Sequence, residues 1–540
     1  MKKRFSITLS TESLIFLYAR TALTFIPTSF CMTAYDQVPY PCNAYPQTHP
    51  EHLASIARLR GLQTPPPETC RYLEIGCGDG GNLLPLAHAL PQAHFCGIDL
   101  ASTSIESARW HAQAFGLINI ECHALDLMDL QAADLGKWDY IVAHGVFSWV
   151  PEPVRLRLLE LCRDLLSPQG IAFISYNAYP GSHIRQMARD MMRYHTENAP
   201  DASTKIGQAR ALMGFLAHSH GTDDEYGALL RAEAARVQQF APNHLYHDDL
   251  ADINQPYYLH EFAELAASSG LQYLGDADYA SMFATRYPRE VRERLAELGT
   301  DLLKREQYLD FIKCRRFRQS LLCHQNVTLQ DTAQCAHMRE FYFASSAKPT
   351  TSSANLLDES EILFEGHDGL KGQASLPIAK LPLAYLGLKW PARLSFAELH
   401  QATAQALGTP IDEDSLGLVL REFVEMGAVQ AHLQPAPFAT TAAERPAASP
   451  WARYQQKQGP GGITTLRHQT LHIQDPFGQW LLGQLDGTRT PAEIAHALAS
   501  TVKPDAQGHL DFDKELQEAQ ALVQEGLQKF LQLGLLVSNP

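Results

Sequence analysis

The sequence lacks the features that would tie it to a membrane, a disulfide scaffold or a nucleic acid. No uninterrupted apolar run reaches the roughly eighteen residues that a membrane-spanning helix needs, so no membrane span is expected. All ten cysteines lie at or before Cys335, none in a C-x-x-C pair and none at metal-ligand spacing from a histidine. Reduced thiols are therefore expected rather than a disulfide framework or a zinc site, and no metal is assigned. Basic residues are outnumbered, 44 Lys and Arg against 59 Asp and Glu, for a net charge of -15. That balance argues against nucleic acid as a partner, because such affinity comes mainly from cations that neutralise phosphates. The N-terminus opens MKKRF, but Arg20 interrupts its apolar content and no small-residue cleavage site follows. Residues 1–33 thus read as an extension expected to be disordered, and a cytoplasmic location is expected.

What the chain does contain is an alternation. From Cys70 to Asn177, short apolar runs (RYLEIG, HFCGIDL, IECHALDL, WDYIVAH, GIAFISYN) are separated by helical stretches (NLLPLAHAL, SIESARWHAQAFG, VRLRLLELCRDLL). This pattern predicts an α/β domain with a mainly parallel sheet. A helix over 154–166 would place Val154, Leu158, Leu161, Cys162 and Leu165 on one face, the stripe needed to cover such a sheet. Residues 181–260, rich in Arg, His, Ala and Gln at helical spacing, read as a helical insertion over the sheet's mouth. Strand patterns resume in LQYLGDADY and RRFRQSLLCHQ, so this domain is expected over 34–328. The basic run KCRRFRQ, Lys313 to Gln319, reads as the solvated face of an edge strand, with docking of an acidic protein as the alternative.

Two smaller modules follow. Ser395 and Glu398 form one candidate capping box and Thr490 and Glu493 another, each ahead of a helix that ends at glycine and turns into a short apolar strand. They are expected to be mainly α, winged-helix-like modules over 350–434 and 469–540. Between them, residues 435–468, which include PAPFATTAAERPAASP, read as a Pro/Ala-rich linker with too little bulky apolar material for a core.

The stretch YLEIGCGDGGN carries the chemistry. Glycines 76, 78, 80 and 81 follow a predicted strand and precede a predicted helix, so bare backbone can approach a ligand at the helix N-terminus. Spaced glycines alone could serve NAD, FAD, S-adenosyl-L-methionine or merely a tight turn. Asp99, at the end of the second strand, is placed to accept ribose hydroxyls, which NAD and S-adenosyl-L-methionine sites share. Glu74 separates them. A carboxylate two residues before the first glycine would repel a pyrophosphate, yet it attracts a cationic nucleoside. Asp126, in HALDLMD, sits where a third-strand loop would reach an adenine amino group; a turn aspartate is the equally ordinary reading.

E-x-G-x-G-x-G followed by GIDL resembles motif I and its successor in class I S-adenosyl-L-methionine-dependent methyltransferases. More specific stretches, YDQVPYPCNAYPQTHPEHLASIARLRGL, HGVFSWVPEPVR, ISYNAYPG and HLYHDDLADINQPYYLHEFAELA, make residues 34–328 similar to methyltransferases bearing a methyltransferase regulatory domain. Among these, the chain resembles the rickettsial-type lysine methyltransferases of outer-membrane proteins, which also append smaller C-terminal domains. The resemblance implies a Rossmann-like class I methyltransferase sheet with S-adenosyl-L-methionine as cofactor, held by Glu74, Gly76, Cys77, Gly78, Gly80, Asn82, Asp99, Leu100, Asp126 and His144.

In an open α/β sheet the reacting groups gather at the carboxyl ends of the strands. Two aromatic-rich loops are expected there. Phe147, Trp149, Tyr176 and Tyr179 are candidate pocket walls that stabilise positive charge, with ordinary packing as the other reading of each. Asn177 would orient an amine, and His144 would take a proton or make a structural hydrogen bond. Tyr246, His247 and Tyr257 are candidate lid residues. The nearby His244, Asp248, Asp249, His260 and Glu261 match no standard metal signature.

The expected activity is methyl transfer to a nucleophile, by resemblance a protein lysine on an outer-membrane or cell-envelope protein. Alternatives are a small-molecule or natural-product methyltransferase, and a cofactor-binding regulatory protein without turnover. The helical insertion offers a surface for a homodimer.

Overall fold

The computed structural model describes residues 38, 40 and 43–538 except 223, 368, 460 and 504–510, with the backbone alone for 134. The extension expected over 1–33 lies outside the described residues.

All seven strands expected in the first domain pair into one sheet: β1 (Arg71–Ile75), β2 (His94–Asp99), β3 (Ile120–Ala124), β4 (Trp138–Ala143), β5 (Leu166–Asn177), β6 (Leu271–Asp276) and β7 (Phe317–His324). Their order is β3-β2-β1-β4-β5-β7-β6. The first five run parallel, and β7 runs antiparallel to both β5 and β6. Strand order reverses between β1 and β4, so the loops after these two strands diverge and leave a crevice at their carboxyl ends. The glycine turn and the His144 loop both emerge there.

The period of two sorts side chains between the faces. Tyr72, Phe95, Tyr140 and Phe173 belong to one buried cluster with Leu53 and Ile56 of α1 (Pro50–Leu59), Leu83 and Leu86 of α2 (Leu83–Ala89) and Ile105 of α3 (Ser102–Phe115). Leu73, Ile75, Ile141 and Ile174 face the other way, onto Leu158, Leu161 and Leu165 of α4 (Glu152–Leu165) and onto Phe262. The stripe read from the sequence of α4 is the one buried.

Between β5 and β6 lie α5 (Ser182–His195), α6 (Ala202–His218), α7 (Glu225–Gln239), a π turn over Leu245–Asp249 and α8 (Leu259–Ser268). These helices bury a small core of their own around Met192, Met213, Val237 and Leu245. Asp249 holds it together, accepting from Arg185 Nε at 3.0 Å and from both terminal nitrogens of Arg236 at 3.0 Å.

Three expectations are corrected. The basic run is a solvated face only in part, and its strand is not at the sheet edge: Arg316 is exposed, but β7 lies between β5 and β6 and carries Arg318 inside. Arg318 is 0 % exposed and is clamped by Asp310 (2.7 and 2.9 Å), Glu306 (3.0 Å) and Asp276 (3.2 Å). Charge complementarity with α9 (Leu302–Lys313) and β6, invisible in the local pattern, draws it inward. Second, residues 435–468 are not a free linker. Pro450–Gln458 forms α10, which places Trp451 and Ala452 against the protein, and Ala448, Ala452 and Ile463 join the C-terminal core with Leu481, Ile494 and Phe530. Small residues suffice because Ala448 also bridges to Leu536 as extended backbone. Third, the module expected over 350–434 does not close on its own core but shares one with the segment just ahead of it. Phe341, Phe343, Leu386 and Leu420 continue the buried cluster of the first sheet face. Both capping boxes are present, at Ser395 with Glu398 and at Thr490 with Glu493. Among the described residues, no helix is long and apolar enough to cross a membrane.

Candidate active site

The turn after β1 works through left-handed backbone. Gly76, Gly78 and Gly80 have φ of 77°, 54° and 79°. A Cβ on Gly76 would lie 2.4 Å from Val146 Cγ2, so this position admits only glycine without displacing the β4 loop. Cys77 is buried against Gly97 of β2, where an added Cβ would meet its sulfur at 2.7 Å. Asp99 ties the crevice together: Oδ2 accepts from Gly78 N and Oδ1 from Ala101 N, both at 2.8 Å. The next residue, Leu100, is 59 % exposed, an apolar side chain beside the crevice.

Glu74 is 3 % exposed. Its Oε1 accepts from Asn82 Nδ2 at 3.0 Å, whereas Oε2 is buried with no protein partner. Burial is the main cause that pushes its pKa up to about 8; the Asn82 bond opposes the rise and Asp99 adds to it. The carboxyl is therefore largely protonated at neutral pH before any ligand arrives, which corrects the picture of a standing negative charge. A cation beside it restores the charge by lowering that pKa.

His144 follows β4 as expected, but it is caged. Its Nδ1 pairs with Ser175 Oγ at 2.8 Å, and Ser175 Oγ also accepts from Gly145 N at 2.8 Å. Tyr45 meets the imidazole edge-on at 4.1 Å between centroids, with Phe173 and Phe317 beyond. Burial lowers its pKa to about 4, so the ring stays neutral. The structural hydrogen bond prevails over a proton-accepting role.

The aromatic set divides. Phe147 and Tyr176 are core residues rather than pocket walls: both are buried, packed on Phe262 with centroids 5.3 and 4.2 Å away. Helix α8 covers them, a long-range contact that the loop sequence does not reveal. Trp149, Tyr179 and Tyr257 remain half-buried. Trp149 lies under Arg189, whose guanidinium is 5.7 Å from the ring centre, and Tyr179 stacks on His183 at 4.0 Å. Asn177 is held by Ser148 Oγ to its backbone N and donates Nδ2 to Asn254 Oδ1 at 2.7 Å. Its backbone carbonyl accepts from Tyr257 N at 3.0 Å, so the candidate lid residue Tyr257 is joined to β5. Tyr246 and His247 lie apart from this group on the π turn, where His247 Nε2 donates to Val38 O and Tyr246 faces Lys205. Asp126 is exposed and accepts from Met128 N at 2.9 Å, the turn arrangement. Asp248 and Asp249 pair with arginines and His260 with Gln307, so their polar atoms serve the fold.

Two residues at the crevice escaped the sequence reading. Tyr45 sits within a quoted stretch but had no assigned role; its backbone N donates to Asn82 Oδ1 at 3.0 Å. His468, from the far end of the chain, reaches the same oxygen at 2.8 Å. No local signal marks it.

A buried acid with an unsatisfied oxygen, three left-handed glycines and a carboxylate at the second strand end fit the amino-acid and ribose parts of S-adenosyl-L-methionine. Comparison with known proteins agrees. Residues 73–172 match the methyltransferase domain family, 241–324 a predicted methyltransferase regulatory domain and 444–535 the PKMT C-terminal winged helix domain. The fold and site define a class I S-adenosyl-L-methionine-dependent methyltransferase. Uncharacterized protein RP789 of Rickettsia prowazekii is 31% identical over 528 residues, 93% of each chain. PKMT2 from Rickettsia typhi, solved alone and in complex with AdoHcy, superimposes with a TM-score of 0.81 at 30% identity, covering 93% of this chain and all of that one. The chain belongs to this rickettsial PKMT family of methyltransferases. The regulatory-domain match, 241–324, takes in α8, β6 and β7 and so overlaps only the end of the helical insertion expected over 181–260.

Proposed function

We propose that this methyltransferase acts on a lysine side-chain amine of a protein. The observation that carries the reading is the whole-length likeness to PKMT2, C-terminal domains included. By the same family resemblance, the acceptor is an outer-membrane or cell-envelope protein met in the cytoplasm.

The geometry accommodates that chemistry. The bound cofactor supplies an electrophilic methyl group. Glu74, Asp99 and the glycine turn would hold its amino-acid and ribose parts, with Gly76, Gly78 and Gly80 giving backbone access and Cys77 packing the turn against β2. Asn82 orients Glu74, and Leu100 offers apolar contact to a base. Trp149, Tyr179 and Tyr257 stay half-buried, with Arg189, His183 and Arg155 each already over one ring. A ring face left open would stabilise a passing positive charge by about 0.5–2 kcal/mol, and the Asn177 amide, its nitrogen engaged by Asn254, would accept from an amine through its oxygen. A free lysine has a pKa of roughly 10.4 and must arrive neutral. His144, held near 4, is too weak a base to take that proton, so it leaves to water as the apolar mouth desolvates the amine. Helix α6 exposes Phe215, which gives the helical insertion an apolar surface for a homodimer.

Incubation with methyl-labelled cofactor and a cell-envelope extract tests the assignment. Label recovered as methyl-lysine after hydrolysis of protein bands is the expected result. Label in small molecules, or none despite cofactor binding, points to the two alternatives and overturns it.

A further inference from the structure

Asn82 occupies the N-cap of α2 yet makes no side-chain bond to its own helix. Asparagine at an N-cap ordinarily satisfies a free helix N–H, so a different set of partners has drawn this amide away. Its Nδ2 donates to Glu74, and its Oδ1 faces Tyr45 N at 3.0 Å, Thr48 Oγ1 at 3.1 Å and His468 Nε2 at 2.8 Å. The Thr48 hydroxyl has a single hydrogen and a closer acceptor in Tyr45 O at 2.8 Å. The two lone pairs of Asn82 Oδ1 are then filled by Tyr45 N–H and the His468 ring N–H. Two donors on this side leave only one orientation of the amide.

His468 is placed for the task at a cost. It lies in the turn between Ile463–Thr464 and Thr470–Leu471, with φ of 58°, one of two non-glycine residues of positive φ among those described. A side chain in that region costs about 1 kcal/mol. The turn is braced on all sides: Thr470 Oγ1 accepts from Ala44 N at 2.8 Å, Leu466 N donates to Gly534 O at 2.8 Å, and the Arg467 guanidinium lies over Phe438 and Trp390. The ring itself is 4 % exposed and meets His49 edge-on at 5.7 Å.

We propose that His468, carried by the C-terminal winged-helix domain, is a positioning residue for the cofactor site. By donating to Asn82 Oδ1 it fixes the amide so that Nδ2 holds Glu74 Oε1 and leaves Oε2 for the cofactor. The C-terminal domain thereby completes a site that the first domain alone leaves loose. The inference concerns cofactor binding and stands whatever the methyl acceptor is.

Calorimetric titration with AdoHcy tests it in the full chain. His468→Ala is expected to weaken binding about tenfold through the lost hydrogen bond. His468→Gln, which restores an N–H, should return it to within about threefold. In an Asn82→Ala background, where the relay is already broken, His468→Ala should add less than about a twofold loss. In turnover, the variant should raise KM for the cofactor and leave kcat at saturation near the native value, whereas general loosening would lower both. If His468→Ala does not fold, as judged by its thermal transition, His468→Leu keeps the bulk without the donor and takes its place. Native affinity in the variant, or losses that multiply fully with Asn82→Ala, would overturn the proposal.

Discussion

Replacing Glu74 by glutamine isolates the electrostatics of the cofactor site. The carboxyl is buried, shares one oxygen with Asn82 and has a pKa pushed up to about 8 by burial, moderated by the Asn82 bond and raised further by Asp99. At pH 7 about one-tenth of ligand-free molecules carry the charge, and at pH 9 about nine-tenths do. A cationic ligand that favours the ionised form therefore binds about tenfold more tightly at pH 9 than at pH 7, about 1.4 kcal/mol, and releases close to one proton at pH 7. Glutamine keeps the shape and the acceptor for Asn82 but never ionises. Its affinity should fall by the about 1.5–3 kcal/mol of a charge-assisted hydrogen bond at pH 9, and by about 1.4 kcal/mol less at pH 7. Calorimetry with S-adenosyl-L-methionine at both pH values, in buffers of different ionisation enthalpy, gives both affinity and proton count. The cofactor's own amine titrates with both proteins, so the difference between the profiles belongs to Glu74. Stability without ligand shifts the opposite way. The folded chain holds this proton up to about pH 8 while the unfolded chain releases it near 4.5, so the group's contribution is lost as pH rises through that window. Glu74→Gln should accordingly gain stability relative to the native chain between pH 5 and pH 9. Parallel affinity profiles with equal proton release, and native affinity for the variant at pH 9, would refute this account of the site.

Three further perturbations reach other parts of the molecule. Gly76→Ala places a Cβ 2.4 Å from Val146 Cγ2 on backbone of φ 77°; about 1 kcal/mol of backbone strain plus the shift of Val146 should weaken cofactor binding at least about tenfold by calorimetry. Arg318→Met leaves Glu306 buried without its guanidinium and Asp276 and Asp310 with Arg315 alone, so denaturant unfolding should show a loss of about 3–5 kcal/mol at neutral pH. Trp451→Ala removes a buried ring that meets Phe115 of α3 at 4.9 Å, for an expected loss of about 3–5 kcal/mol in the C-terminal transition; a change below about 0.5 kcal/mol, as expected for an exposed linker, would contradict the packing described.

The network at Asn82 also gives the winged-helix domain a role beyond contact. Ala44 and Tyr45 run between the C-terminal turn and the glycine loop, Ala44 N bonded to Thr470 of the former and Tyr45 N to Asn82 of the latter. Cofactor site and C-terminal domain therefore share a set of buried hydrogen bonds, and a disturbance in either should register in the other.

The alternation of strands and helices, the glycine turn with Glu74 and Asp99, and the two capping boxes are legible along the chain. These rest on periodicity and short spacing, which act between neighbours and so survive in a linear reading. Which charges go inside and which aromatics stay at the mouth depends instead on long-range packing. Arg318 is buried because carboxylates from α9 and β6 meet it there, and Phe147 and Tyr176 are core because α8 closes over them. The same packing alone brought His468 to Asn82, 386 positions away in the chain. Hydrogen bonds and burial between distant segments depend on how the whole chain packs, and no local pattern carries that information.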